Sequence, residues 1–111
     1  MDDNVKYLTQ LAHFSEEAAK VNPIFKSDQT EMQVLCLNPH QYISPKVEPL
    51  SDIVFLVLSG EGVFEVGEEV LILTRNTTVL VEPGVSSGII NESDAQLTVL
   101  KFTAPPGVHE G

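Results

Sequence analysis

The sequence predicts an all-β domain, a barrel or sandwich of two packed sheets, and three observations predict it. From Thr30 onward the chain is a succession of short runs rich in β-branched residues, with turn signals between them at about ten-residue spacing. Two of the runs, Ile53-Val54-Phe55-Leu56-Val57-Leu58 and Val70-Leu71-Ile72-Leu73, are apolar on both faces. A lone open sheet would leave one face wet and alternate more cleanly, so two packed sheets with covered outer faces fit better. Finally, 111 residues with an apolar fraction of 42% make one domain around one core. Trp is absent, which leaves Val, Leu and Ile to fill that core.

Residues 1–28 differ from the rest and are expected to form a helical or extended segment packed on the barrel. Leu8, Leu11, Phe14 and Ala18 recur at roughly helical spacing, and Ser15 before Glu16 and Glu17 is a helix start. Pro23 is expected to end that helix. The barrel spans residues 29–104. Met32 to Leu37 is its first run and Asp52 to Leu58 the second. Glu61 to Val66 and Val70 to Leu73 flank Gly67 as a hairpin, and Thr77 to Val81, Ser86 to Ile90 and Gln96 to Thr103 complete the set. Asn38-Pro39, Ser44-Pro45, Ser59-Gly60, Arg75-Asn76, Pro83-Gly84 and the stretch from Asn91 to Asp94 separate them. Residues 105–111 read as a tail. The doubly apolar runs need cover, from the N-terminal segment or from a second subunit, and a homodimer is expected.

Six basic residues face sixteen acidic ones, a formal charge of −10. Such a field repels phosphate backbones and anionic lipid, which disfavours nucleic-acid and membrane-surface partners. The carboxylates are scattered rather than blocked, so they form no acidic tail. Cys36 is the one cysteine, which rules out an internal disulfide, and on an apolar strand it is a small core residue rather than a nucleophile. The first residues carry no basic-then-apolar leader, and no apolar run reaches the roughly 20 residues of a spanning helix. A cytoplasmic location is expected. The triplets Asn76-Thr77-Thr78 and Asn91-Glu92-Ser93 are then chance matches to a glycosylation pattern.

Around Val57-Leu58-Ser59-Gly60-Glu61-Gly62 and from Glu82 to Asn91 the chain resembles the small, single-domain cupins. The resemblance covers about Met32 to Ala104 and implies a double-stranded β-helix, a jelly-roll barrel. Cupins have two motifs, one running from glycine through two histidines and a glutamate to a second glycine. The other runs from glycine through proline, glycine and histidine to asparagine. Laid on this sequence, the first motif closes on Gly60, with Ile53 where cupins have the glutamate. Glu48 and Lys46 fall where they have the histidines, and His40 where they have the opening glycine. The second motif opens on Asn76, which tolerates a left-handed turn almost as well as glycine. It continues with Glu82 in place of proline, Gly84 in register, Ser87 in place of histidine, and Asn91. The turn-forming positions survive better than the chemical ones.

Cupins hold a first-row transition metal with three imidazoles and a carboxylate. Of the four matching positions here, protonated Lys46 and Ile53 cannot ligate, Ser87 is a poor neutral donor, and only Glu48 is a reasonable ligand. The resemblance therefore implies a barrel without the usual metal and without another cofactor. His40 and Glu48 are the nearest alternative ligands, His13 lies in the N-terminal segment and His109 in the tail.

In this register Lys46 and Glu48 point inward together, about 7 Å apart, with Ile53, Phe55, Val57, Ser87 and Ile89 around them. Lys101 alternates with Val99 and Thr103, which allows it to face the same cavity. Tyr42 rims the barrel. Three readings stay open. The Lys46–Glu48 pair is a partly solvated structural pair at the mouth. Alternatively the barrel binds a small molecule through Lys46, Glu48, Phe55, Ser87 and Asn91, with Lys46 suited to an anionic one. The third is a cupin-type enzyme: an isomerase or epimerase using Glu48 or Lys46 as acid or base, or a dioxygenase if a metal is bound after all.

Overall fold

The computed structural model describes residues 3–107; His109 and the tail beyond Gly107 lie outside them. Among the described residues the chain forms one helical turn, α1 (Leu8–Leu11), and nine strands. These are β1 (Lys20–Lys26), β2 (Glu31–Leu37), β3 (Tyr42–Val47), β4 (Asp52–Ser59) and β5 (Glu61–Val66), then β6 (Glu69–Thr74), β7 (Thr78–Val81), β8 (Ser86–Ile90) and β9 (Leu97–Ala104). They make a five-stranded sheet ordered β1-β2-β9-β4-β7 and a four-stranded sheet ordered β3-β8-β5-β6. Every recorded pairing is antiparallel. The all-β jelly-roll expectation holds, as does the hairpin around Gly67.

Two segments depart from expectation, and both contain proline. The N-terminal helix is a single turn, and Pro23 does not end it: it lies within β1, which pairs with β2. The five-stranded sheet thus begins at Lys20. Tyr42–Val47, in which the sequence places the separator Ser44-Pro45 and assigns no run, is strand β3, with Pro45 at a bulge between Ile43 and Lys46. The physical reason is shared. Both strands are sheet edges with an irregular register at the proline, the one setting in which a missing ladder donor is tolerated.

The core lies between the sheets. Leu35, Leu37, Ile53, Phe55, Val57, Phe64, Leu73, Val81, Ile89, Leu97 and Val99 form one buried cluster. At its centre the rings of Phe55 and Phe64 meet at 5.5 Å and 57°, within the tilted geometry that aromatic pairs prefer. A second cluster sits on the outer face of the five-stranded sheet. There Ile24, Val34 and Cys36 are covered by Leu8, Leu11, Ala12 and Phe14 of the N-terminal segment. This explains why β2 is apolar on both faces. Buried Asn22 fastens the cover, donating to the carbonyls of His13 (3.1 Å) and Val34 (3.2 Å) and towards Cys36 Sγ. Burial pushes the Cys36 thiol up, against a smaller opposing effect of the Asn22 hydrogen bond. No helix among the described residues is long and apolar enough to cross a membrane.

Candidate functional site

Four turn positions set the barrel's shape. His40 (φ 70°), Gly60 (φ 87°), Asn76 (φ 68°) and Gly84 (φ 84°) all adopt the left-handed backbone region. Gly60 needs glycine twice over, because a Cβ there would strike the Gln96 carbonyl. The positions on which the sequence motifs open and turn are thus those where the chain reverses.

At one end the barrel is closed by a polar knot around Asn91. This residue is fully buried, and its Nδ2 donates to the carbonyls of Leu37 (3.0 Å) and Ala95 (2.8 Å). Its Oδ1 accepts from the backbone N–H (3.1 Å) and hydroxyl (2.8 Å) of Ser93. The Asn91 N–H donates to Gln41 O, and the His40 N–H donates to Asn91 O. Asn91 is therefore a loop clamp, and it does not line the cavity described below. His40 pairs with Asp94 at 3.9 Å on the exposed surface of this end.

The other end is open. A cavity of about 780 Å³ enters between the sheets there, within the size range of small-molecule sites. Leu35, Ile53, Phe55 and Ile89 supply apolar wall; Gln33, Lys46, Glu48, Ser87 and Lys101 supply polar groups. Of the sequence candidates, Lys46, Glu48, Phe55 and Ser87 meet here and Asn91 does not. Val57 lies in the packed core instead, and Tyr42 lines a shallow groove on the outer surface with Pro45, Glu65 and Ile90.

The strand ladder explains the meeting. Lys46 of β3 pairs directly with Ser87 of β8 on the four-stranded sheet. On the facing sheet Gln33, Lys101 and Phe55 form one cross-strand row over β2, β9 and β4. Lys101 shares its face of β9 with Val99 and Thr103, both buried, so alternation aims it inward. Burial pulls its ammonium pKa down; the fields of Glu48 and Glu31 oppose that shift and Lys46 reinforces it. Glu48 lies more than 4.0 Å from the ammonium groups of Lys46 and Lys101.

Glu48 is held by its neighbours rather than by a lysine. Its carbonyl accepts from the Gly84 N–H at 3.0 Å, and the backbone at Gly107 lies beside its side chain. A Cβ on Gly107 would come within 2.6 Å of Glu48 Oε1, and Ser51 Oγ donates to the Pro105 carbonyl at 2.6 Å. The structure thus places Lys46 and Glu48 at a solvated mouth without a direct ion pair.

The four positions that hold metal in the resembled family, now Lys46, Glu48, Ile53 and Ser87, all line this cavity. They do not fit a metal: one is a cation, one an alkyl group, one a hydroxyl, and one carboxylate remains. Nor do His40 and Glu48 converge, since strand β3 runs between them and they sit at opposite ends of the barrel. Among the described residues no group of three or more His, Cys, Asp or Glu side chains is placed to hold a metal ion. Gln33 escaped the sequence reading; its only signal is a polar residue two before Leu35 on an inner face, legible once the register is known.

Comparisons with known proteins agree with this architecture. The sequence profile described as the cupin domain matches residues 33–103. No curated protein matches. The chain is similar to the crystal structure of TT1209 from Thermus thermophilus, with 32% identity, a TM-score of 0.88, and 92% of this chain and 97% of that one covered. It is also similar to an uncharacterised conserved protein with a double-stranded β-helix domain from Klebsiella pneumoniae (20% identity, TM-score 0.86, 91% and 89% covered). KdgF from Halomonas sp. is more distant, at 12% identity and a TM-score of 0.76 over 85% and 84% of the two chains. These last two likenesses concern the fold alone.

Proposed function

The chain belongs to the cupin domain family, and on that premise we propose that its barrel binds a small, carboxylate-bearing molecule without a metal. The observation that carries this reading is the open cavity with an apolar wall and one lysine from each sheet, Lys46 and Lys101. A carboxylate there would pair with the exposed Lys46 ammonium, with the Lys101 amine facing it from the other sheet. Ser87 and Gln33 would add neutral hydrogen bonds, and Phe55 and Ile53 would take the ligand's carbon skeleton. The molecule's net charge of −10 opposes anions at long range, so recognition has to be local and short-ranged. The reading includes a cytoplasmic setting, which suits the lone buried thiol of Cys36.

The test is titration calorimetry with malonate, succinate and other small mono- and dicarboxylates, beside native mass spectrometry of the purified protein. Saturable binding that weakens in Lys46→Ala supports the reading. No binding across the series, with no co-purifying ligand, overturns it.

One observation favours a second reading, proton-transfer catalysis of the isomerase or epimerase kind: the lowered Lys101 ammonium shares the mouth with the Glu48 carboxylate. Unchanged turnover in Glu48→Gln of an active preparation would remove Glu48 from that role. The dioxygenase alternative needs a donor set that Lys46, Glu48, Ile53 and Ser87 do not supply.

The proposal extends to self-association. Tyr42, Ile90, Val63 and Ile72 stand in one register across all four strands of the smaller sheet, and Ile72 and Val70 are 67% and 68% exposed. Leu8, Leu11, Ala12 and Phe14 of the N-terminal segment cover the other sheet. A flat apolar row meets its own copy about a two-fold axis without complementary charge. Light scattering should give a dimer mass that Ile72→Glu reduces to a monomer; a wild-type monomer at high concentration overturns the pairing.

A further inference from the structure

Lys101 is an unusual residue to find at the middle of a buried ladder. Its strand is the central one of the five-stranded sheet, its row neighbours are Gln33 and Phe55, and its face-sharing neighbours are buried Val99 and Thr103. A lysine serving only solubility has no reason to occupy this position. The Glu48 carboxylate at the mouth lies beyond 4.0 Å of the Lys101 ammonium. The Lys101 side chain lines an open cavity of about 780 Å³.

We propose that Lys101 is a carbonyl-capturing amine, whose Nζ forms an imine with a small 2-oxo acid seated in this cavity. The inference rests on the carboxylate-binding reading above, and it adds the carbonyl and the covalent bond. The 2-oxo acid's carboxylate faces Lys46 on the opposite sheet, and its carbonyl carbon faces Lys101. The neutral amine's lone pair forms the N–C bond while the carbonyl π pair moves to oxygen. A proton passes from nitrogen to that oxygen, giving a carbinolamine. The oxygen then takes a second proton and leaves as water while the nitrogen lone pair closes the C=N bond. One amine and one carbonyl thus give one imine and one water, with no oxidant or reductant. Glu48 shares the mouth and is the group positioned to carry protons to the departing oxygen.

Burial favours the neutral amine that this chemistry needs. The charged groups acting on Lys101 are Glu48 and Glu31, which favour the ammonium, and Lys46, which favours the free amine. Burial is the largest of these effects.

The test is incubation of the intact protein with glyoxylate at neutral pH, reduction with borohydride, and peptide mapping by mass spectrometry. A trapped site gains the mass of glyoxylate less one oxygen. Lys101 is expected to be labelled about tenfold or more faster than Lys6, Lys20 or Lys26, because burial leaves more of its amine neutral. The excess should vanish in Lys101→Met, whose folding is checked by thermal melting, and excess malonate should suppress it. Even labelling over all the lysines overturns the proposal. Malonate binding by calorimetry without a Lys101 adduct overturns the covalent step and leaves the carboxylate-binding reading standing. Neither binding nor an adduct overturns both.

Discussion

At the closed end of the barrel the buried polar side chain, Asn91, is engaged with backbone, whereas at the open end the polar side chains face a cavity. Asn91 is fully buried and bonded to Leu37, Ala95 and Ser93. Lys46, at the other end of the same inter-sheet space, is exposed and holds no carboxylate among the described residues. Both ends descend from the same pair of motifs. The difference teaches that motif positions serving the backbone and motif positions serving chemistry are under separate physical demands. A left-handed turn at Gly60 or Gly84 is needed for the chain to reverse at all, so its loss costs the fold. A ligand position at the mouth needs only to remain compatible with a half-solvated wall, and lysine, isoleucine or serine can each satisfy that.

Four variants would sharpen or break this contrast, in falling order of expected effect. Phe64→Ala removes a fully buried ring packed on Phe55, and urea denaturation should show a loss of about 3–5 kcal/mol. Asn91→Ala leaves the Leu37 and Ala95 carbonyls without their donor, and the same measurement should show about 2–3 kcal/mol. If Asn91→Ala were neutral, the closed end would not be the structural end.

Lys101→Met tests the open end through pH. The folded-state pKa of Lys101 is lowered from 10.5, so between that lowered value and 10.5 the unfolded chain binds more protons. Stability then rises with pH across this window. Below it, both states are protonated and the full cost of burying the ammonium is present. Wild type should therefore gain stability relative to Lys101→Met as pH is raised towards 10.5. A flat difference would mean that the amine is solvated like any surface lysine. Last, Lys46→Ala should change stability by no more than about 0.5 kcal/mol while weakening malonate binding. A large stability loss instead would make the mouth structural.

How much was legible in advance follows the same division. Strands β2, β4, β5, β6, β7, β8 and β9 were readable because their runs are β-branched and bounded by Gly, Pro or Asn. β1 and β3 were not, because Pro23 and Pro45 signal breaks locally and only an edge position with a bulge makes them harmless. Phe55 and Ser87 were legible as inward residues from simple alternation on β4 and β8. Asn91 was visible as a motif residue, yet nothing in its sequence neighbourhood distinguished a cavity wall from a loop clamp. Its partners Leu37 and Ala95 lie on either side of it in the chain, and Leu37 is far away in sequence.

The sequence alone determined the two-sheet barrel and its turns, because alternation and turn chemistry are properties of residue types and short spacings. Only the tertiary structure decided that Gln33 and Lys101 join Lys46 and Glu48 around one cavity while Asn91 stays outside it. Those residues come from strands far apart in the chain. Their meeting depends on which strands pair and in what register, and a shift of one residue would turn each of them to the opposite face.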